Sequence, residues 1–270
     1  MELADKVIVV TGAAGGIGAA CARRFAAERP RIVVCADLDA NATGVVASQI
    51  NAAAGCDIAI GRACDVGREA TVKALIDEIT LSYGVIDLYF ANAGIAMLTD
   101  PFSPDEIWDR QWRVNTMAHV WAARHLLPAW LERGDGYLVT TASMAGFLTS
   151  LGDAAYSTTK HAAVGFAEWL AVTYHDRGVK VSCLCPGGIN TAMLTAMTGD
   201  AESSIALIGG GELKQPDDVA EILVRGIRAE STLILTHPEM TTYMERKVAD
   251  HGRWVGGMAR LWQRQRHLLD

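Results

Sequence analysis

The apolar run from Lys6 through Val7-Ile-Val-Val-Thr11 breaks directly into Gly12-Ala-Ala-Gly15-Gly16-Ile17-Gly18, and an alanine-rich stretch follows from Ala19 to Glu28. A short uninterrupted apolar run reads as a strand buried on both faces, hence a parallel one, and the alanine-rich segment reads as a helix. Glycines at such a strand-to-helix turn let the backbone come close to a pyrophosphate, whose charge the helix N-terminus favours. Any tight turn wants glycine, so the cluster alone says little. Its context says more. A second apolar run, Arg31-Ile-Val-Val-Cys-Ala-Asp37, ends in a carboxylate about twenty positions past the glycines, where it can accept both hydroxyls of an adenosine ribose.

Strand patterns recur at about 6–11, 31–37, 57–64, 85–91, 137–142, 179–185 and 232–236, with helical segments between them. That alternation predicts an α/β fold: a doubly wound, seven-stranded parallel sheet flanked by helices, with ligands gathered at the carboxyl ends of the strands. Chemistry-bearing residues sit at those ends: Gly12, Asp37, Asp65, Asn92, Ser143 and Pro186 close strands one to six in turn. With 270 residues, no linker-like stretch, no internal repeat and no low-complexity tract, one domain over 1–270 is expected, with a helical extension over 238–270.

Tyr156 and Lys160 lie four residues apart, about one turn along one face of a helix, and Ser143 precedes them by thirteen positions. Two unit charges ~4 Å apart at an effective dielectric near 20 interact by roughly 4 kcal/mol. At about 1.36 kcal/mol per unit, a lysine that close could lower a phenol from ~10 toward ~7, where it exchanges protons at neutral pH. Asp153 is placed to cap that helix. Asn115, a poor helix former inside a helical pattern, suggests a bent or water-bound backbone there.

Taken together, these motifs resemble the short-chain dehydrogenase/reductase family over roughly residues 5 to 237. Thr11, Gly12, Gly16 and Gly18 match its glycine motif, Asn92-Ala93-Gly94 its Asn-Ala-Gly, and Asn115 the asparagine on the helix that follows. Ser143, Tyr156 and Lys160 match its catalytic residues, and Pro186-Gly187 with Thr191 its cofactor loop. The resemblance implies a Rossmann domain that interconverts a secondary alcohol and its ketone. In that scheme Tyr156 moves the alcohol proton, Ser143 donates to the same oxygen, Lys160 binds the nicotinamide ribose, and Asn115 holds a water leading to solvent. Cofactor contacts are implied for Gly12, Gly16, Ile17, Gly18, Asp37, Leu38, Asp65, Val66, Asn92, Tyr156, Lys160, Gly187, Ile189 and Thr191. Asp65 would meet the adenine amino group and Val66 the ring.

Asp37 would repel a 2′-phosphate, Leu38 offers no arginine, and Ala13-Ala-Gly15 carries no basic side chain, so NAD rather than NADP is expected. The substrate pocket implied by resemblance is apolar, with Ser143, Tyr156, Met97, Phe147, Met193 and Met197 as contacts and 192–211 as a lid. No Arg or Lys occurs between Tyr137 and Thr159 or between Pro186 and Gly211, which favours a neutral, hydrophobic alcohol or ketone. An NADP-linked ketone or 3-oxoacyl reductase is the alternative within the family, and a non-catalytic dinucleotide sensor the alternative outside enzymology.

Net charge of −7 argues against nucleic acid and acidic membrane surfaces, and no uncharged apolar stretch reaches the ~18 residues of a membrane span. The chain enters its first strand within a few residues, without a basic-then-apolar leader, so a cytoplasmic protein is expected. Six cysteines without Cys-x-x-Cys spacing are expected to be buried free thiols, and seven histidines form no metal-ligand pattern. The tail past Pro238, rich in Trp and Arg, is expected to pack on a neighbouring subunit or over the pocket mouth of a homotetramer.

Overall fold

The computed structural model describes residues 1–196, 199–200 and 212–269. Seven parallel strands form one sheet: β1 (Val7–Thr11), β2 (Ile32–Asp37), β3 (Ala59–Ala63), β4 (Leu88–Ala91), β5 (Gly136–Thr141), β6 (Val179–Cys185) and β7 (Leu233–Leu235), in the order β3-β2-β1-β4-β5-β6-β7. Between them run α1 (Gly16–Ala26), α2 (Ala40–Ala54), α3 (Glu69–Tyr83), α4 (Asp105–Trp112), α5 (Ala118–Arg133), α6 (Ala154–Thr173), the short α7 (Ala192–Thr195) and α8 (Pro216–Arg228). Two further helices, α9 (Glu239–Ala249) and α10 (His251–Gln265), end the chain.

Alternation along each strand splits the core into two layers. Val7 and Val9 point to one face, where Val72 and Ile76 of α3, Trp121 and Trp130 of α5 and Ala167 of α6 cover them. Ile8 and Val10 point to the other, under Phe25 of α1, Ile50 of α2 and Leu223 of α8. Both layers bury large side chains at the ordinary value of ~25 cal/mol per Å² of apolar surface. The helices that flank the sheet are therefore held mainly by their buried faces.

Strand boundaries follow the sequence reading to within three residues. The largest difference is at β4, expected from 85 and found from Leu88. Asp87 stands at that boundary. Its backbone still bonds both neighbouring strands, donating to the Val7 carbonyl and accepting the Tyr137 amide at 2.9 Å each, and its carboxylate accepts the Val7 amide at 2.8 Å and pairs with Arg133 at 2.9 Å and Lys6 at 3.6 Å. All six cysteines are free, as expected, but Cys56 is exposed rather than buried. It follows the Gly55 cap of α2, in a turn that the helices leave open. Cys183 and Cys185 do share one face of β6, their sulfurs 3.7 Å apart. Among the described residues no helix is long and apolar enough to cross a membrane, and no group of His, Cys, Asp or Glu could hold a metal ion. The expected lid begins in α7; Met197 and the glycines at 209–211 lie outside the described residues.

Candidate active site

Sheet order reverses between β1 and β4, so the chain leaves these adjacent strands toward opposite faces and a crevice opens above them. A cleft of about 1000 Å³ occupies that place. Glycine shapes its floor. Gly12 has φ +69°, and a Cβ on it would lie 2.8 Å from the Ala93 Cα. A Cβ on Gly18 would lie 2.1 Å from the Gly12 carbonyl oxygen, so the first turn of α1 presses against the loop before it. Gly15, the residue just before α1, offers no side-chain cap, which leaves the first amides of the helix to an anion. Thr191 closes over this turn, its methyl 3.3 Å from where a Gly16 Cβ would stand.

Asp37 closes β2 beside the same loop, with its carboxylate accepting the Ala14 amide at 3.1 Å and the Leu38 amide at 2.7 Å. Leu38 itself is 69% exposed. Past β3, Asp65 accepts the Gly67 amide at 3.0 Å and Val66 is buried. Gly12, Gly16, Ile17, Asp37, Leu38, Asp65, Val66, Asn92, Gly187, Ile189 and Thr191 all line the cleft, whereas Gly18 lies behind it. A cradle of uncovered amides, a carboxylate at the second strand and a long apolar-walled groove fit a dinucleotide.

Tyr156 and Lys160 reach the cleft floor from the first turns of α6. The Asp153 carboxylate fixes that helix start: it accepts the Tyr156 amide at 3.0 Å and caps α6 as the sequence predicts. The same carboxylate accepts Met97 and Leu98 amides at 3.1 Å and the Thr99 hydroxyl at 2.6 Å, tying the segment after β4 to α6. Lys160 is buried, with its ammonium donating to the Thr141 carbonyl at 2.9 Å and 5.5 Å from the centre of the Tyr156 ring. Ser143 faces the cleft from the end of β5 and accepts the Ala145 amide at 3.1 Å. Asn115 sits in a π-turn (Arg113–Met117) between α4 and α5, the bent backbone the sequence suggests. Its side chain is spent on Ile95, accepting that amide at 2.9 Å and donating to that carbonyl at 2.9 Å. A Cβ on Gly94 would stand 3.3 Å from both the Asn115 oxygen and the Lys160 nitrogen, so a larger residue there would push one of them by a few tenths of an ångström.

A family profile described as short chain dehydrogenase matches residues 6–202. The chain belongs to the short-chain dehydrogenase/reductase family. It is 32% identical to 1-deoxy-11-beta-hydroxypentalenate dehydrogenase of Streptomyces exfoliatus, over 94% of this chain and 91% of that one. It is 30% identical to 3beta-hydroxysteroid dehydrogenase 2 of Eggerthella lenta, over 76% and 78%. Among solved structures, a short chain dehydrogenase/reductase from Burkholderia phymatum in complex with NAD superposes with a TM-score of 0.81 at 28% identity, covering 93% of this chain and 95% of that one.

For a short-chain dehydrogenase/reductase, the electrostatics of this site carry one correction to the sequence reading. The phenol of Tyr156 is not lowered. Withdrawal from water pushes it up to about 12, against a smaller opposing effect of the Ser143 hydroxyl. The ammonium of Lys160 is aimed at a carbonyl, and burial brings it down to about 8. His119, buried on α5, is held neutral, brought down to about 3 by burial and then by repulsion from Lys160.

Substrate contacts divide. Ser143, Tyr156 and Met193 line the cleft, but Met97 and Phe147 do not. The Met97 backbone is drawn to Asp153, and Phe147 turns inward onto the core. Asn92 lines the cleft, yet its side chain lashes strand ends together, donating to the Thr11 carbonyl at 3.0 Å and accepting the Thr141 hydroxyl at 3.2 Å.

Two groups escaped the sequence reading. Glu106, Asp109, Arg110 and Arg113 bring charge to the rim from α4 and its π-turn, far in sequence from the segments searched for cations. Their i, i+3, i+4, i+7 spacing, which puts all four on one helix face, was the available signal. Behind Gly187, the Thr236 hydroxyl accepts the Gly187 amide at 3.1 Å and lies 2.7 Å from His237 Nδ1. The other ring nitrogen meets the Glu212 carbonyl at 3.0 Å, so Nε2 carries the proton and Nδ1 accepts from Thr236.

Proposed function

We propose that this chain is an NAD-dependent dehydrogenase that interconverts a neutral, hydrophobic secondary alcohol and its ketone. One observation carries the reading: Tyr156 and Lys160 stand one helical turn apart beside Ser143, on the floor of a cleft whose glycine turn and Asp37 suit an adenosine diphosphate. Bound NAD would supply the hydride acceptor at the nicotinamide ring. Tyr156, once its own phenol proton has left for solvent, takes the alcohol proton at the phenolate oxygen, and the Ser143 hydroxyl donates to the substrate oxygen where charge develops. Lys160 supplies positive charge beneath the phenol and a donor for a ribose hydroxyl. Asn115 holds the Ile95 backbone and keeps the space around the Lys160 ammonium fixed. Asp37 receives the adenosine ribose hydroxyls, beside the amides it already accepts.

An alicyclic alcohol is favoured by the apolar wall of Ile95, Met144, Met193 and Leu194 and by the substrate named for the steroid-oxidising relative. The reading carries with it a homotetramer, as the family resemblance implies, and a cytoplasmic location. The test is a panel of alicyclic, aromatic and linear secondary alcohols, with NADH formation followed by absorbance, run beside Tyr156→Phe. Turnover of at least one alcohol is expected, lost by more than about a hundredfold in the variant while NAD still binds, since proton transfer contributes ~10²–10⁴. Residual activity within tenfold of wild type would remove Tyr156 from the proton-transfer role.

A further inference from the structure

The segment from Met144 to Ser150 forms one wall of the cleft: Met144, Ala145, Thr149 and Ser150 line it. Its two ends are fixed. At one end, Ser143 accepts the Ala145 amide. At the other, Ser157 on α6 accepts the Ser150 amide at 2.8 Å. Its middle is bonded through its amides only: those of Phe147 and Leu148 donate to the Met144 carbonyl at 3.1 and 2.9 Å. Among the described residues, no backbone amide donates to the carbonyl of Phe147 or of Leu148, although Leu148 is buried. Orphaned carbonyls beneath a protein surface need a donor.

Lys247 provides it from a hundred residues downstream. Its ammonium donates to the Phe147 carbonyl at 2.6 Å and to the Leu148 carbonyl at 3.2 Å. The same nitrogen lies 4.6 Å from the centre of the Trp254 ring, within cation–π range. No carboxylate pairs with it among the described residues, and burial lowers its affinity for a proton. This half-buried ammonium, without a counter-ion among the described residues, is held by the two carbonyls and the indole face. Trp254 belongs to α10, and α9 itself buries only Met240. The lysine thus joins three parts: the cleft wall, α9 and α10.

We infer that Lys247 is a positioning residue, and that the C-terminal helix pair serves through it as a strut for the 144–150 wall, setting how bulky an alcohol the cleft admits. The inference rests on the proposed reading of that wall as substrate-facing. Lysine suits the task because one nitrogen with three hydrogens can bond two successive carbonyls and still present charge to a ring. Methionine keeps the stem and its packing but none of these bonds.

The experiment compares the full-length protein with Lys247→Met, Lys247→Arg and Trp254→Leu. Hydrogen exchange, which needs no substrate, is read over 144–150. Exchange is expected to rise about tenfold in Lys247→Met, as fits the loss of a charge-assisted bond, to rise less in Trp254→Leu and to return near wild type in Lys247→Arg. With an alcohol that turns over, Lys247→Met is expected to raise its KM about tenfold while the NAD KM and the pH profile stay in place. Unchanged exchange at 144–150 in Lys247→Met overturns the inference, as does an equal rise in both KM values or a failure of arginine to restore the wall. A protein that turns over no alcohol but shows the exchange pattern retains the strut and rejects only the proposed reaction.

Discussion

Lys160 carries a cost as well as a role. Burial brings its ammonium down to about 8, from an ordinary value of 10.5. A lysine whose folded pKa is depressed disfavours the folded state wherever both forms are charged, and the penalty fades once the folded protein releases its proton. Unfolded chains hold that proton up to the ordinary value, so Lys160 makes stability rise with pH through the window from about 8 to 10.5. Tyr156 acts oppositely and later: its folded value near 12 exceeds its ordinary value of 10, so its contribution is lost as pH climbs past 10 and through 12. Between 8 and 10 the lysine therefore dominates. Lys160→Met, of similar length and uncharged, is expected to be more stable than wild type at pH 7 by up to about 3 kcal/mol, at ~1.36 kcal/mol per unit. The gap should narrow by pH 9.5. Urea unfolding of both proteins at the two pH values measures this, and a gap that does not change with pH would show that the lysine is better solvated than its burial indicates.

At the scale of elements, the site depends on where helices begin. Helix α6 starts at Asp153, and that carboxylate also receives the segment after β4 through Met97, Leu98 and Thr99. Removing it leaves five donors without that partner at a buried position, the Gln111 side-chain amide at 3.3 Å among them. Asp153→Ala is expected to destabilise by about 3 kcal/mol or more, combining a lost cap with unsatisfied buried groups. Asp153→Asn should fall between, because its amide nitrogen would face donors. A midpoint loss under ~1 kcal/mol by urea unfolding for the alanine variant would mean that water replaces the carboxylate. Elements of this kind were legible in the sequence where one short motif carried all the signal. The glycine turn, the cap at Asp153 and the bent helix at Asn115 were each visible as local rules. The β4 lead-in was not, because its apolar residues obey strand patterning while the Asp87 carboxylate is held by partners 80 and 46 residues away. Nor was the inward turn of Phe147, which depends on a core assembled from other helices. The rim charges on α4 and the Thr236–His237 brace were missed for the same reason: each reaches the cleft through tertiary packing.

For the molecule as a whole, the cleft runs along the carboxyl edge of the sheet, from Asp37 on β2 across β1 and β4 to Gly187 beyond β6. A ligand that fills it touches both halves of the sheet, so binding adds to the stability of the entire fold. On the proposed reading, Asp37 sets how much each cofactor adds. Its two oxygens already accept the Ala14 and Leu38 amides, and their outer lone pairs remain for a ribose diol. Each charged hydrogen bond to that diol is worth ~1.5–3 kcal/mol, and a 2′-phosphate would replace them with repulsion. NAD should therefore bind at least about a hundredfold more tightly than NADP, at ~1.4 kcal/mol per tenfold. At a concentration about 100 times its Kd, NAD stabilises by ~2.7 kcal/mol, whereas NADP at the same concentration, near its own Kd, adds only ~0.4 kcal/mol. Thermal unfolding with each cofactor reads this difference without any substrate, as a clear upward shift in Tm with NAD and a barely measurable one with NADP. Asp37→Ser with Leu38→Arg is expected to reverse the order of the two shifts, since it removes the repulsion and supplies a phosphate partner. The loss of the Ala14 bond in that variant lowers both Tm values alike, so the ratio between cofactors remains the measure. Equal shifts with NAD and NADP in the wild-type protein would show that Asp37 does not meet the ribose, whatever reaction the cleft performs.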